Sequence, residues 1–193
     1  MPSTTRESGS RSRTRRAILD AAIALLATRP QASLAEVADA AGVGRSTLHR
    51  YFPERTELLS AVVEDSMAQL TAAVAAAELD RGTPAQGLRR IIHTYFELSP
   101  VLLVLFGEHL IDTRKDLVGD LDELDAPVFA LLERGQREGY FDAEVSKEWL
   151  NRVLWAVVYV GIDATAEGTM TRHAALESIT RTLEHGMLAR PGA

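Results

Sequence analysis

The chain has 193 residues, 46% of them hydrophobic and 25% charged, with 7 Pro and 13 Gly. That is the composition of a globular protein of one or two domains, large enough to bury a core without staples. The absence of cysteine excludes a disulfide framework, a Cys-ligated metal centre and a thiol nucleophile. The formal net charge of −6 taken alone argues against a nucleic-acid partner, but residues 1–52 hold eight Arg against four acids, leaving 13 basic and 23 acidic side chains for the rest. Polyanion affinity follows the local cluster that neutralises phosphates rather than the whole-chain sum; a merely solvated basic tail gives the same count.

Residues 1–12 are polar and Ser/Thr-rich without apolar periodicity, as expected of a mobile basic arm. From Arg13 to Thr28, Ala17, Ile18, Ala21, Ala22, Leu25 and Leu26 recur at helical spacing, and Pro30 stops the pattern. Arginines ahead of this apolar stretch mimic a signal peptide, but Asp20 interrupts it, and the expected location is cytoplasmic. Ser33 and Glu36 have capping-box spacing and start a short helix over Leu34–Ala41. Gly42-Val43-Gly44 breaks it, and Arg45–Tyr51 forms a third helix that ends before Pro53. A compact domain over 13–53 results.

Pro53 and Glu54 suit the start of a long linking helix over 54–78. Helical segments follow at about 84–98, 100–113, 126–138, 145–166 and 172–188, with the acidic run Asp120 to Asp125 read as a surface loop before Pro127. No convincing stretch alternates with period two. The expected class is all-α with about nine helices, an N-terminal three-helix domain and a larger C-terminal domain over 54–193. No segment reads as a membrane span, which needs roughly 20 apolar residues; the longest strongly apolar stretch, Val153–Ile162, reads as a buried helix.

Ser33 to Phe52 has the length of a helix-turn-helix, whose second helix lies in the DNA major groove. Leu34, Val37, Ala38 and Ala41 share one face of the first helix, Val43 fills the turn, and Leu48 with Phe52 faces inward from the second. Gly42 suits a helix end that needs positive φ. With Leu48 inside, Arg45, Ser46, His49 and Arg50 turn outward, as i,i+4 pairs Arg45/His49 and Ser46/Arg50. Arginine can donate twice to guanine, and Ser, Thr or His can reach bases or phosphates, which brings in Thr47 as well. Tyr51 ends the helix where its hydroxyl can meet a phosphate. Ser33 and Arg55 stand at helix starts that suit phosphate contacts. Plain surface polarity on a helical hairpin is the alternative, and a helical adaptor of that kind would tolerate loss of Arg45 and Arg50.

Residues 13–59 resemble the DNA-binding domain of the TetR (tetracycline repressor) family of bacterial transcriptional regulators. The resemblance rests on Ser33-Leu34-Ala35-Glu36-Val37-Ala38, Ala41-Gly42-Val43, Ser46-Thr47-Leu48, Tyr51-Phe52-Pro53, Arg55 and Glu57-Leu58-Leu59. The family usually has an aromatic residue, most often tyrosine, where this chain has His49. The resemblance implies a homodimer, with two recognition helices about 34–36 Å apart on an inverted-repeat operator, and helices 145–166 and 172–188 forming the interface. Leu150, Val153, Leu154, Val157, Val158, Val160, Gly161 and Ala164 make 145–166 apolar around more than one face, as a helix buried on two sides must be. A monomeric core is the other way to bury it.

The resemblance also implies a small organic effector, expected to be apolar or aromatic, in the C-terminal domain. His93, Phe96, Phe106, His109, Trp149, Trp155 and Tyr159 combine bulk with polar handles and are candidates to line its site; as ordinary core residues they would show the same spacing. His93/Glu97 and His109/Asp112 have the spacing of half a metal site but lack a third ligand, so no metal or cofactor is expected. Gly-rich phosphate loops, Gly-x-Ser-x-Gly and His-Glu-x-x-His are all missing, and no enzyme activity is expected.

Overall fold

The computed structural model describes residues 4–106 and 118–186. Among these residues there are nine helices and no strand: α1 (Thr4–Thr28), α2 (Leu34–Ala40), α3 (Arg45–Tyr51), α4 (Arg55–Ala76), α5 (Pro84–Glu97), α6 (Ser99–Phe106), α7 (Val118–Arg137), α8 (Lys147–Ala166) and α9 (Arg172–Gly186). The all-α expectation holds.

Helix starts follow the local chemistry. Ser33 caps α2, accepting from the Glu36 N–H, while the Glu36 carboxylate accepts from the Ser33 N–H at 2.8 Å. Thr83 and Gln86 repeat this reciprocal pair at α5, with Pro84 in the first turn where its missing N–H costs nothing. Two boundaries differ from the sequence reading. The first helix runs back to Thr4, into the segment expected to be a mobile arm, since extending an anchored helix avoids the cost of nucleation. The acidic run Asp120 to Asp125 lies inside α7, as does Pro127, rather than in a loop. Acidic side chains favour a helix's first turns, and the buried Leu124, Val128, Leu131 and Leu132 carry the apolar spacing through the proline.

The chain divides into two compact units, and the division falls within α4 after Gln69. The first unit comprises α1 to α3, α4 up to Gln69, and the described residues from Pro100 to Phe106. Its core includes Ile18, Leu19, Ala22 and Leu26 of α1, Val37 and Ala38 of α2, Leu48 and Phe52, and Leu58 and Val62 of α4. By length and composition alone α4 could cross a membrane, which the sequence reading missed. Its Glu64 and Asp65 and its buried Leu58, Val62, Leu70 and Val74 mark it instead as a core helix.

The second unit runs from Leu70 to Ser99 and continues through α7, α8 and α9. There α5 packs on α7, α8 and α9, and α8 packs on both α7 and α9. Gly161 permits the close approach of α8 to α9: a Cβ there would lie 2.5 Å from the Ile179 Cδ1. The turn after α4 is held by arginines. Arg90 donates to the carbonyls of Ala77 and Glu78, each at 2.8 Å, and Arg134 donates to those of Leu79, at 3.1 Å, and Asp80.

Candidate functional site

The α2–α3 segment folds as its spacing requires. Gly42 takes φ +64° and the Val43 N–H reaches back to the Ala38 carbonyl at 3.0 Å, so α2 ends in a tight left-handed turn that a side chain at 42 would strain. Gly44 starts α3. Leu48 and Phe52 are buried, and Arg45, Ser46, His49 and Arg50 are exposed, with Thr47 between the two classes. The expected polar face of the second helix therefore exists. Arg45 and Arg50 have no carboxylate partner among the described residues.

Three other expected contacts are already engaged within the protein. The Ser33 hydroxyl belongs to the capping box, and the Ser33 N–H and hydroxyl hold the Glu36 carboxyl below the ordinary carboxylate range; Arg29 adds an ion pair at 2.9 Å. Arg55 donates to the carbonyls of Pro30, at 2.9 Å, and Ala32. It is thus a brace between the start of α4 and the α1–α2 turn. Tyr51 donates to the Arg11 carbonyl at 3.3 Å. Guanidinium groups of Arg11 and Arg50 lie 6.0 and 5.8 Å from the Tyr51 ring centroid, and that of Arg15 lies 5.7 Å from Phe52.

A second brace joins α1 to α4. Arg16 makes a two-pronged ion pair with Asp65, the longer arm 2.7 Å, and Gln69 donates to the same carboxylate at 2.7 Å. Arg16 also contacts Asp20 at 2.7 Å. Burial pushes the Asp65 carboxyl up, but the hydrogen bonds from Arg16 and Gln69, with the Arg16 and Arg15 charges, outweigh it and leave its pKa lowered.

In the second unit the expected effector residues separate. Phe96 is buried, and Trp155, half-buried, stacks on Tyr95 with ring centroids 4.2 Å apart and planes 22° from parallel. Trp149 (60% exposed) and Tyr159 (37%) are instead on the surface. His93 is exposed too, in an open groove of mixed charge beside Arg89, His173 and Glu184, where Arg89 is bound to Glu184 at 2.6 Å. Phe106 is half-buried in the first unit, and His109 lies outside the described residues. A helix apolar on several faces hides which aromatics point to a core, so spacing alone did not separate the buried Phe96 from the exposed Trp149 and Tyr159.

Three residues that the sequence reading passed over complete the cluster around Trp155. Tyr95 is fully buried, and its hydroxyl has no hydrogen-bond partner among the described residues. Burial, reinforced by the Asp125 charge, pushes that hydroxyl far above its ordinary range; it remains a protonated donor. Asn151, also buried, donates to the Asp125 carboxylate at 2.8 Å, while its own Oδ1 accepts nothing. An unpaired donor, an unpaired acceptor and a stacked aromatic pair thus share one region with a carboxylate. Unsatisfied buried polar atoms are rare in folded proteins, which marks the cluster as a candidate site. The signal available in the sequence was Asn151, a polar residue at i−4 from Trp155 on the buried stripe of α8.

Buried Leu48 beneath an open cationic face, on the second of two short helices joined at Gly42, defines a helix-turn-helix DNA-binding protein. The tetR family of bacterial regulatory proteins matches residues 18–62. The chain is 39% identical, over 99% of both sequences, to the HTH-type transcriptional repressor LfrR of Mycolicibacterium smegmatis. It is 27% identical to the HTH-type transcriptional regulator NfxB of Pseudomonas aeruginosa, over 88% of this chain and 91% of that one. The crystal structure of LfrR in complex with proflavine superposes with a TM-score of 0.78 at 37% identity, covering 94% of this chain and 99% of that one. This chain belongs to the TetR family and is a DNA-binding transcriptional regulator.

Proposed function

We propose that the protein is a homodimeric repressor that leaves an inverted-repeat operator when a planar aromatic cation enters the Tyr95–Trp155–Asn151–Asp125 cluster. The observation carrying the effector assignment is the pairing of two orphaned buried polar atoms with a stacked ring pair and a carboxylate. The rings favour a flat π-system, and the carboxylate favours positive charge. The proflavine complex of LfrR supports the same chemistry, because proflavine is a flat aromatic cation. In this reading Phe96 and Trp155 remain effector residues, and His93, Trp149 and Tyr159 do not.

Repression follows from the likeness to LfrR, and a DNA-binding repressor works in the cytoplasm. The DNA contacts are assigned to Arg45, Ser46, Thr47, His49 and Arg50, with Ser33, Tyr51 and Arg55 bracing the reading head. Dimerisation through α8 and α9 is supported by the exposed Trp149 and Val160 at 60% and 66%, which share a stripe of α8 with Val153 and Ala156. A tryptophan left so open in a protein with a full core suits an interface.

The test is operator release. A duplex selected from a random pool should carry an inverted repeat, and proflavine should displace the protein from it. Proflavine also intercalates into DNA, so the decisive comparison is the Asp125→Asn variant, which should bind the same duplex and respond at least tenfold less. Equal release of both proteins would refute the assigned effector site while leaving DNA binding in place.

A further inference from the structure

We propose that the N-terminal turns of α1 form a second DNA-contacting element, in which Arg11 and Arg15 bind backbone phosphates flanking the groove read by α3. The inference rests on the assignment of α3 as the reading helix and extends the interface beyond it. The basis is how the arginines of the first unit are used. Arg16 is bound by Asp65 and Asp20, Arg29 by Glu36, and Arg55 by two backbone carbonyls. Arg11, Arg15 and Arg50 are all exposed and lie over rings, and among the described residues none of the three makes a salt bridge, Arg15 feeling Asp65 only through its charge.

Stacking on a ring occupies the face of a guanidinium and leaves its in-plane N–H donors open, which is the geometry for two-pronged phosphate binding. Arg11 and Arg50 share the Tyr51 ring, each about 6 Å from its centroid, so the two charges stand within about 12 Å of each other. Among the described residues no carboxylate accepts from either one. The Tyr51 hydroxyl, donating to the Arg11 carbonyl, fixes α1 at the end of α3. Arg15 lies on the same side of α1, one turn along, over Phe52. Cations on one side of the fold favour an anion placed among them. Tyr51 is then a post holding a cation from each of two helices, rather than a phosphate ligand itself.

The experiment measures operator and random-duplex affinity across a salt series for the full chain and for the variants Arg11→Gln, Arg15→Gln, Arg29→Gln and Arg45→Ala. Each phosphate contact contributes about 0.9 to the slope of log K against log salt. Arg11→Gln and Arg15→Gln should each lower the slope by about that amount per protomer, equally on operator and random DNA, and should trim the outer edge of a hydroxyl-radical footprint. Arg11→Lys should restore the slope, because the charge rather than the stacking is what phosphate requires. Arg29→Gln, whose guanidinium is paired, should leave the slope unchanged. Arg45→Ala tests the reading head separately, by loss of preference for the operator. An unchanged slope in Arg11→Gln and Arg15→Gln alongside that loss would overturn the α1 element while leaving the reading head standing. Failure of Arg45→Ala to alter preference would instead remove the assignment on which this inference rests.

Discussion

The Arg16–Asp65 brace fastens α4 to α1 through a partly buried charged pair, so its removal should be felt in the stability of the first unit. The Asp65 side chain is 18% exposed and that of Arg16 41%. A hydrogen bond to a charged group contributes about 1.5–3 kcal/mol; discounting for solvent at the arginine end, we expect a coupling energy of about 1–2 kcal/mol. The single variants should differ. Asp65→Ala leaves Arg16 with Asp20 and should cost about 1–2 kcal/mol, whereas Arg16→Ala leaves a largely buried carboxylate with Gln69 alone and should cost about 2–3 kcal/mol. At about 2–4 °C per kcal/mol for a protein of this size, Arg16→Ala should melt visibly lower than Asp65→Ala.

A double-mutant cycle by urea denaturation at constant protein concentration measures the coupling. Its pH dependence follows from the lowered Asp65 pKa. A carboxylate whose folded pKa lies below its unfolded value stabilises the fold above the unfolded pKa, about 3.9 for aspartate, and that contribution is lost as pH falls through the folded pKa. The coupling should therefore be constant from neutrality down to about pH 5 and fade only in stronger acid. A coupling below about 0.3 kcal/mol, or one that fades between pH 7 and 6, would refute this account of the brace.

Arg45→Ala should cost about 1–3 kcal/mol of discrimination between the selected operator and a scrambled duplex, measured by competition binding, if its guanidinium reads a base. Gly161→Ala should destabilise the second unit by about 1–3 kcal/mol in a thermal melt, because the new methyl meets the Ile179 side chain at 2.5 Å. Tyr95→Phe removes a buried hydroxyl without a partner, so it should leave the free protein as stable or raise its stability by up to about 1–3 kcal/mol, yet weaken effector binding in a calorimetric titration.

Much of the reading head was legible because it is local. Ser33 and Glu36 are three residues apart, Gly42 follows the last buried turn of α2, and the spacing of Leu48 and Phe52 decides which side of α3 meets solvent. The contacts that Arg55 and Arg16 make within the protein were not legible, because their partners are distant in sequence: Pro30 and Ala32 for the first, Asp65 for the second. The start of α7 was lost for a different reason. Acids and a proline are loop signals when counted by composition, whereas the burial of Leu124 and Val128 on either side of Pro127 shows packing overriding them. Tyr95 was missed because a tyrosine at core spacing looks satisfied, and only the tertiary packing leaves its hydroxyl without a partner among the described residues.

Under the proposed switch, the energy available from the effector cluster can be set against what release demands. Moving a two-state equilibrium from 99:1 to 1:99 takes a differential affinity of about 10⁴, or about 5.5 kcal/mol. A buried polar group without a partner costs about 1–3 kcal/mol, so pairing the Tyr95 hydroxyl and the Asn151 Oδ1 with a ligand recovers roughly 2–6 kcal/mol, the size required. Only the portion realised in one state and not in the other acts on the operator. We expect that portion to act through α4, which both units share. Arg55 and the Arg16–Asp65 pair fasten the helix within the first unit, while Arg90 and Arg134 grip the turn at its far end within the second. If the effector acts through α4, loss of these arginine contacts should weaken release by the effector more than it weakens operator binding, and an equal loss of both would place the coupling elsewhere.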